Sequence, residues 1–146
     1  MDGSEQKERQ RETGDEGTAG AAEAPSAKVM RYATRQDHAG QMDKPDAYGV
    51  IAGDCGDTDE FFIKIFTSRI QEVRFRTTGC LYAIACCEAV ALLAEGRTVR
   101  EAMRIGQEAV IEHLDGLPEH YEHCALLAAG TLYQALRSYI IRGQGL

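Results

Sequence analysis

The spacing of apolar residues changes once along this chain, near residue 80. Before that point it follows the two-residue period of a strand. Val73-Arg74-Phe75-Arg76-Thr77 alternates residue by residue, and Phe61-Phe62-Ile63-Lys64-Ile65-Phe66 is aromatic and β-branched. Both predict strands, since successive strand side chains point to opposite faces. The stretch Thr67 to Ile70 between them is short enough for an antiparallel hairpin, and Tyr48 to Ala52 predicts a third, edge strand. Beyond Cys80 the period becomes helical. Residues 82–95 read as a buried helix stopped by Gly96, and Thr98-Val99-Arg100-Glu101 matches a capping box that opens another. Residues 107–115 form a third segment ended by Gly116 and Pro118. Leu127, Leu132, Leu136, Tyr139 and Ile140 mark a last helix over 124–141.

Nearer the start, Ser26 is placed to cap a short helix over 27–34, followed by a loop through Gly40 and Pro45. Strands first and helices afterwards predict the α+β class, with helices packed on a small antiparallel sheet. A length of 146 residues suits one domain.

Charge changes this picture only at the N-terminus. The net charge is −7, and a large share falls in residues 1–27, where Asp2, Glu5, Glu8, Glu12, Asp15, Glu16 and Glu23 face Lys7, Arg9 and Arg11. That stretch contains no Val, Ile, Leu, Phe or Tyr, so it buries too little to offset the entropy of ordering. The expected organisation is a flexible acidic tail at 1–27 and a folded domain at 28–146. No basic cluster stands out, which argues against nucleic acid as a partner. No apolar run approaches the roughly 20 residues of a membrane span, and the tail lacks the apolar core of a secretion signal. A cytoplasmic location is expected.

Five cysteines in a reducing compartment then point to metal or thiol chemistry more than to disulfides. Three sit in distinctive frames: Gly53-Asp54-Cys55-Gly56-Asp57, Thr78-Gly79-Cys80 and His123-Cys124. Each frame lies at the end of a predicted element, and such ends often converge at one edge of a small α+β domain. Cys124, near a helix N-terminus, is expected to feel the helix dipole in favour of thiolate. Three thiolates with Asp57 or His123 make a four-ligand set for zinc, and equally for a small iron–sulfur cluster. Cys86 and Cys87 are adjacent on a helix, diverge by about 100°, and read as small core residues. His38, His113 and His120 read as surface residues.

With those frames in order, the chain resembles the iron–sulfur cluster assembly scaffolds of the IscU type, the same domain as the N-terminal part of NifU. The resemblance runs from about Lys28 to Ile141. It rests on Cys55-Gly56-Asp57 before an alternating strand pair, on Phe75-Arg76-Thr77-Thr78-Gly79-Cys80 before Ala83-Ile84-Ala85, and on Leu117-Pro118 shortly before His123-Cys124. It implies a three-stranded antiparallel sheet with about five helices and a non-enzymatic role. Cys55, Cys80 and Cys124 are implied as ligands of a labile [2Fe-2S] or bridged [4Fe-4S] cluster, with Asp57 or His123 as a fourth or exchanging ligand. The family aspartate keeps the cluster labile, in keeping with a harder oxygen donor. The implied partners are a cysteine desulfurase, with Cys124 as persulfide acceptor, and apo iron–sulfur proteins. A homodimer is left open.

Some positions depart from the family pattern. Its Leu-Pro-Pro-Val-Lys segment, which an Hsp70-type chaperone reads, is here Leu117-Pro118-Glu119-His120-Tyr121, which speaks against chaperone delivery. The Asn-Pro-Arg-Asn stretch is replaced around Thr34-Arg35-Gln36-Asp37, and the small serines after Ala-Ile-Ala by Cys86-Cys87. The same ligand set also suits a Zn2+-bound sulfur acceptor working with a desulfurase. The insertion expected of that branch between its second and third cysteines is missing here. A structural zinc module is the third reading.

Overall fold

The computed structural model describes residues 24–143. Most of the segment expected to be a flexible tail therefore lies outside the described residues. At its end, Ser26 accepts a hydrogen bond from the Val29 N–H (3.0 Å) and opens α1 (Ala27–Arg35). The same hydroxyl donates to the Leu114 carbonyl (2.8 Å), tying this helix start to a distant segment.

Three antiparallel strands follow in chain order: β1 (Ala47–Ala52), β2 (Thr58–Phe66) and β3 (Arg69–Thr77). The edge strand lies where the sequence predicts it. The two hairpin strands start earlier than their apolar runs, because backbone pairing continues through the mostly polar residues at 58–60 and 69–72. Only Thr67 and Ser68 form the turn, both with left-handed φ (49° and 63°), the backbone twist that suits a two-residue hairpin. Along β2, Asp59, Phe61 and Ile63 alternate inward. Phe61 pairs with Phe75 of β3, their ring centroids 6.3 Å apart. Burying each such ring is worth about 2–3 kcal/mol.

The helices are α2 (Leu81–Ala94), α3 (Val99–Ala102), α4 (Gln107–His113) and α5 (Glu122–Ile141). A single 3-10 turn, Glu119–Tyr121, precedes α5 and was not expected from the sequence. The capping box is present in full: the Thr98 hydroxyl accepts from the Glu101 N–H, and the Glu101 carboxylate accepts from the Thr98 N–H. α2 and α5 contact the sheet and each other, while α1 packs on α2 and α4 on α5. Gly49 of β1 permits the closest approach. A Cβ there would stand 2.8 Å from the Thr131 carbonyl and 2.9 Å from Ala135. Among the described residues no helix is long and apolar enough to cross a membrane.

The loop after α1 is more ordered than its sequence suggests. The Phe75 N–H donates to the His38 carbonyl (3.0 Å) and the Gly40 N–H to the Phe75 carbonyl (2.9 Å), so residues 38–40 pair along the outer edge of β3. His38 anchors this strap and is largely buried, contrary to the surface position expected for it. Its Nδ1 meets Glu88 at 2.5 Å and its Nε2 meets Glu95 at 3.0 Å. Burial pulls the imidazole pKa down, but hydrogen bonds and charge from the two carboxylates outweigh it, and the net shift is upward. His113 is half-buried against the Tyr32 hydroxyl (2.9 Å), and His120 is exposed as expected.

Candidate functional site

The three framed cysteines come from separate element ends. Cys55 is exposed in the turn between β1 and β2, where Gly56 takes φ +95° and the Gly53 N–H donates to the Asp57 carbonyl (2.7 Å). Cys80 is exposed at the N-cap of α2, the residue at which β3 hands over to that helix. Cys124 lies in the first turn of α5 and is 3% exposed. No side chain caps the N-terminus of either α2 or α5, and the positive end of each helix dipole favours negative charge there.

Asp57 links the first two segments. Its carboxylate lies over Gly79, so that a Cβ on Gly79 would stand 2.9 Å from Oδ2 and 2.4 Å from the Ala83 methyl. The glycine before Cys80 thus makes room for the carboxylate. His123 is exposed, and its Nε2 lies 3.7 Å from Cys124 Sγ. An open, largely apolar groove of about 640 Å³ adjoins the site, with Cys55 and His123 on its wall beside Ile51, Leu126 and Leu127.

The electrostatics of Cys124 run opposite to the expectation drawn from the helix dipole. Burial, then the neighbouring Cys80, Asp57, Cys55 and Asp59, raise its pKa to about 12. Desolvation and gathered negative charge outweigh the dipole, so the metal-free thiol stays protonated at neutral pH. The same interactions bring Cys80, Cys55 and Asp57 within electrostatic reach of Cys124, at the edge where the β1–β2 turn meets the starts of α2 and α5. Their donor atoms surround a common edge rather than meeting at one point: among the described residues, no three His, Cys, Asp or Glu side chains are grouped tightly enough to hold a single metal ion.

Behind this edge lies a carboxylate that the sequence reading passed over. Asp59 is fully buried; its Oδ1 accepts from the Thr77 hydroxyl (2.6 Å), while Oδ2 has no hydrogen-bond partner. The Cys87 thiol lies beside the carboxylate without satisfying Oδ2. Burial raises the Asp59 pKa, against the pull of Thr77 and Cys87 and with a smaller push from Asp57. The inward alternation Asp59, Phe61, Ile63 was the available signal. Cys86 and Cys87 are both fully buried, as expected of core residues, and burial pushes both thiols well up. Also unforeseen is a stacked pair, Tyr82 on Tyr121, with centroids 4.1 Å apart and planes 19° from parallel.

The profile of the NifU-like N-terminal domain matches residues 24–144. The iron–sulfur cluster assembly scaffold protein IscU 1 of Archaeoglobus fulgidus is 36% identical over 115 residues, covering 78% of this chain and 75% of that protein. The scaffold protein IscU of Aquifex aeolicus is 29% identical over 118 residues, covering 79% and 75%. The crystal structure of an N-terminal NifU-like protein from Brucella abortus superposes with a TM-score of 0.69 over 81% of this chain and 95% of that one. At 15% identity that last match is a likeness of fold. With a profile match across nearly all of the described residues and a relative above 30% identity over most of both chains, this chain belongs to the family of the NifU-like N-terminal domain.

Proposed function

We propose that this chain is a scaffold for iron–sulfur cluster assembly, with the cluster as cargo rather than resident cofactor. Cys55, Cys80 and Cys124 hold the cluster, and Asp57 or His123 supplies the remaining, exchangeable ligand. The observation that carries this reading is the gathering of the three framed thiols and Asp57 around one edge, from a turn and two helix starts. Similarity to proteins named as cluster assembly scaffolds supports it. The donor set fits the cargo chemically: thiolates bind iron and sulfide-bridged iron, and one oxygen or imidazole donor makes the hold weaker. Weak hold is what transfer to apo iron–sulfur proteins requires.

The chain is not an enzyme on this reading. Sulfur arrives from the persulfide of a cysteine desulfurase. The sulfur of Cys124 attacks the terminal sulfur of that persulfide as it gives up its proton; the S–S bond of the desulfurase persulfide breaks, and the departing desulfurase thiolate takes that proton.

Anaerobic reconstitution with iron, cysteine and a desulfurase tests this. A visible absorption spectrum of sulfide-to-iron charge transfer that fades on adding an apo-ferredoxin is the expected result. Equal cluster content in Cys55→Ala, Cys80→Ala and Cys124→Ala would overturn the ligand assignment. A colourless protein that keeps one zinc would overturn the scaffold itself.

A further inference from the structure

The two helix starts that carry Cys80 and Cys124 are joined by an aromatic side-chain contact that the cluster-holding role has not used. Tyr82 is the second residue of α2, two after Cys80, and is 7% exposed. Tyr121 is the N-cap of α5, three before Cys124, and is half-buried. Their rings stack nearly parallel at 4.1 Å, and His120 packs edge-on against Tyr121 (5.3 Å, 84°). The N-terminus of α5 is further held by the Gln107 side-chain amide, which donates to the Glu122 carbonyl (2.9 Å). Neither of these helix N-termini has a side-chain cap, so the stack takes the place of a cap in fixing where the two segments begin.

Position separates this contact from ordinary core packing. A ring pair deep in the core, such as Phe61 and Phe75, holds the sheet together at a distance from the helix starts. The Tyr82–Tyr121 pair instead joins the first turn of one thiol-bearing helix to the residue opening the other. A group bound by both Cys80 and Cys124 leaves only when at least one of its sulfur bonds breaks. The bond re-forms or not according to whether the two segments stay in register.

We infer that Tyr82 and Tyr121 form an aromatic clamp that holds the Cys80 and Cys124 segments in register and thereby sets how slowly thiolate-bound cargo is released. The inference rests on the ligand assignment proposed above and deepens it. Both tyrosines are positioning residues: they act on the cargo through the helix starts.

The experiment compares wild type, Tyr121→Leu, Tyr121→Phe and Thr98→Ala, the last as a control that loses stability far from the site. Two probes are used on each: the reconstituted cluster, and cobalt(II) alone, whose thiolate complexes are coloured and need no assembly machinery. Tyr121→Leu should load to the same final absorbance but release to a chelator about three- to ten-fold faster, the share an aromatic pair contributes. Its visible circular dichroism should change, Tyr121→Phe should restore both readouts, and Thr98→Ala should leave both unchanged. Release from Tyr121→Leu at the wild-type rate, or equal acceleration in Thr98→Ala, would overturn the clamp. A wild-type chain that binds cobalt but assembles no cluster refutes the scaffold reading, and the cobalt release rates then still decide the clamp. A chain that takes up neither probe refutes both.

Discussion

Replacing Gly79 by alanine places one methyl group where the site has no room for it. The added Cβ would stand 2.4 Å from the Ala83 methyl and 2.9 Å from Asp57 Oδ2. The carboxylate can swing aside, but the Ala83 methyl is fixed to the first turns of α2 and yields only if the backbone moves. Overpacking of this kind costs about 1–3 kcal/mol. Gly79 does not have positive φ, so alanine also restricts the unfolded chain and returns about 0.4–1 kcal/mol. The net expectation is a fold about 1–2 kcal/mol less stable, a fall in melting temperature of roughly 2–8 °C for a chain of this size. Urea unfolding of the metal-free protein, followed by far-UV circular dichroism, measures it. The carboxylate displaced from Gly79 should also hold cargo differently, and slower release is expected if Asp57 keeps the cluster labile. An unfolding midpoint equal to or above wild type would refute the close packing of Asp57, Gly79 and Ala83.

Other substitutions probe different parts of the same architecture. Gly56→Ala meets no neighbour but sits at φ +95°, so it should cost about 1–2 kcal/mol through backbone strain alone, read by the same titration. Asp59→Asn keeps the acceptor for Thr77 and exchanges a buried, unpartnered carboxylate oxygen for an amide nitrogen, trading a desolvated charge for a desolvated dipole; it should stabilise the metal-free fold by about 1 kcal/mol, and a lower midpoint would count against this reading. The His38 latch has a pH signature. Its folded pKa is raised, so its stabilisation is fully present below the unfolded value of about 6.5 and is lost as pH rises through the folded one. Unfolding midpoints across that window should fall more steeply for wild type than for His38→Gln, and parallel curves would refute the latch. Thr98→Ala should cost about 1 kcal/mol by removing the capping box, without changing cargo release.

Local pattern was enough for the elements and for the family. The apolar spacing of 124–141 becomes α5, Thr98 and Glu101 close their capping box, and Ser26 caps α1, because each depends on residues within a turn or two of one another. The framed cysteines are likewise short strings, legible without a fold, and they carried the resemblance that the comparisons bear out. Tertiary structure decided the environments. Cys124 looked like a dipole-activated thiol from its place in α5, but burial and the approach of Cys80, Asp57, Cys55 and Asp59 raise its pKa to about 12. His38 read as a surface residue in a loop, yet pairing of residues 38–40 with β3 carries it onto Glu88 and Glu95. Tyr82 and Tyr121 are far apart in the chain, and neither carries a mark of the other until α2 and α5 pack. Periodicity reports which face of an element is apolar, whereas desolvation, charge and ring contact depend on what another element brings to that face.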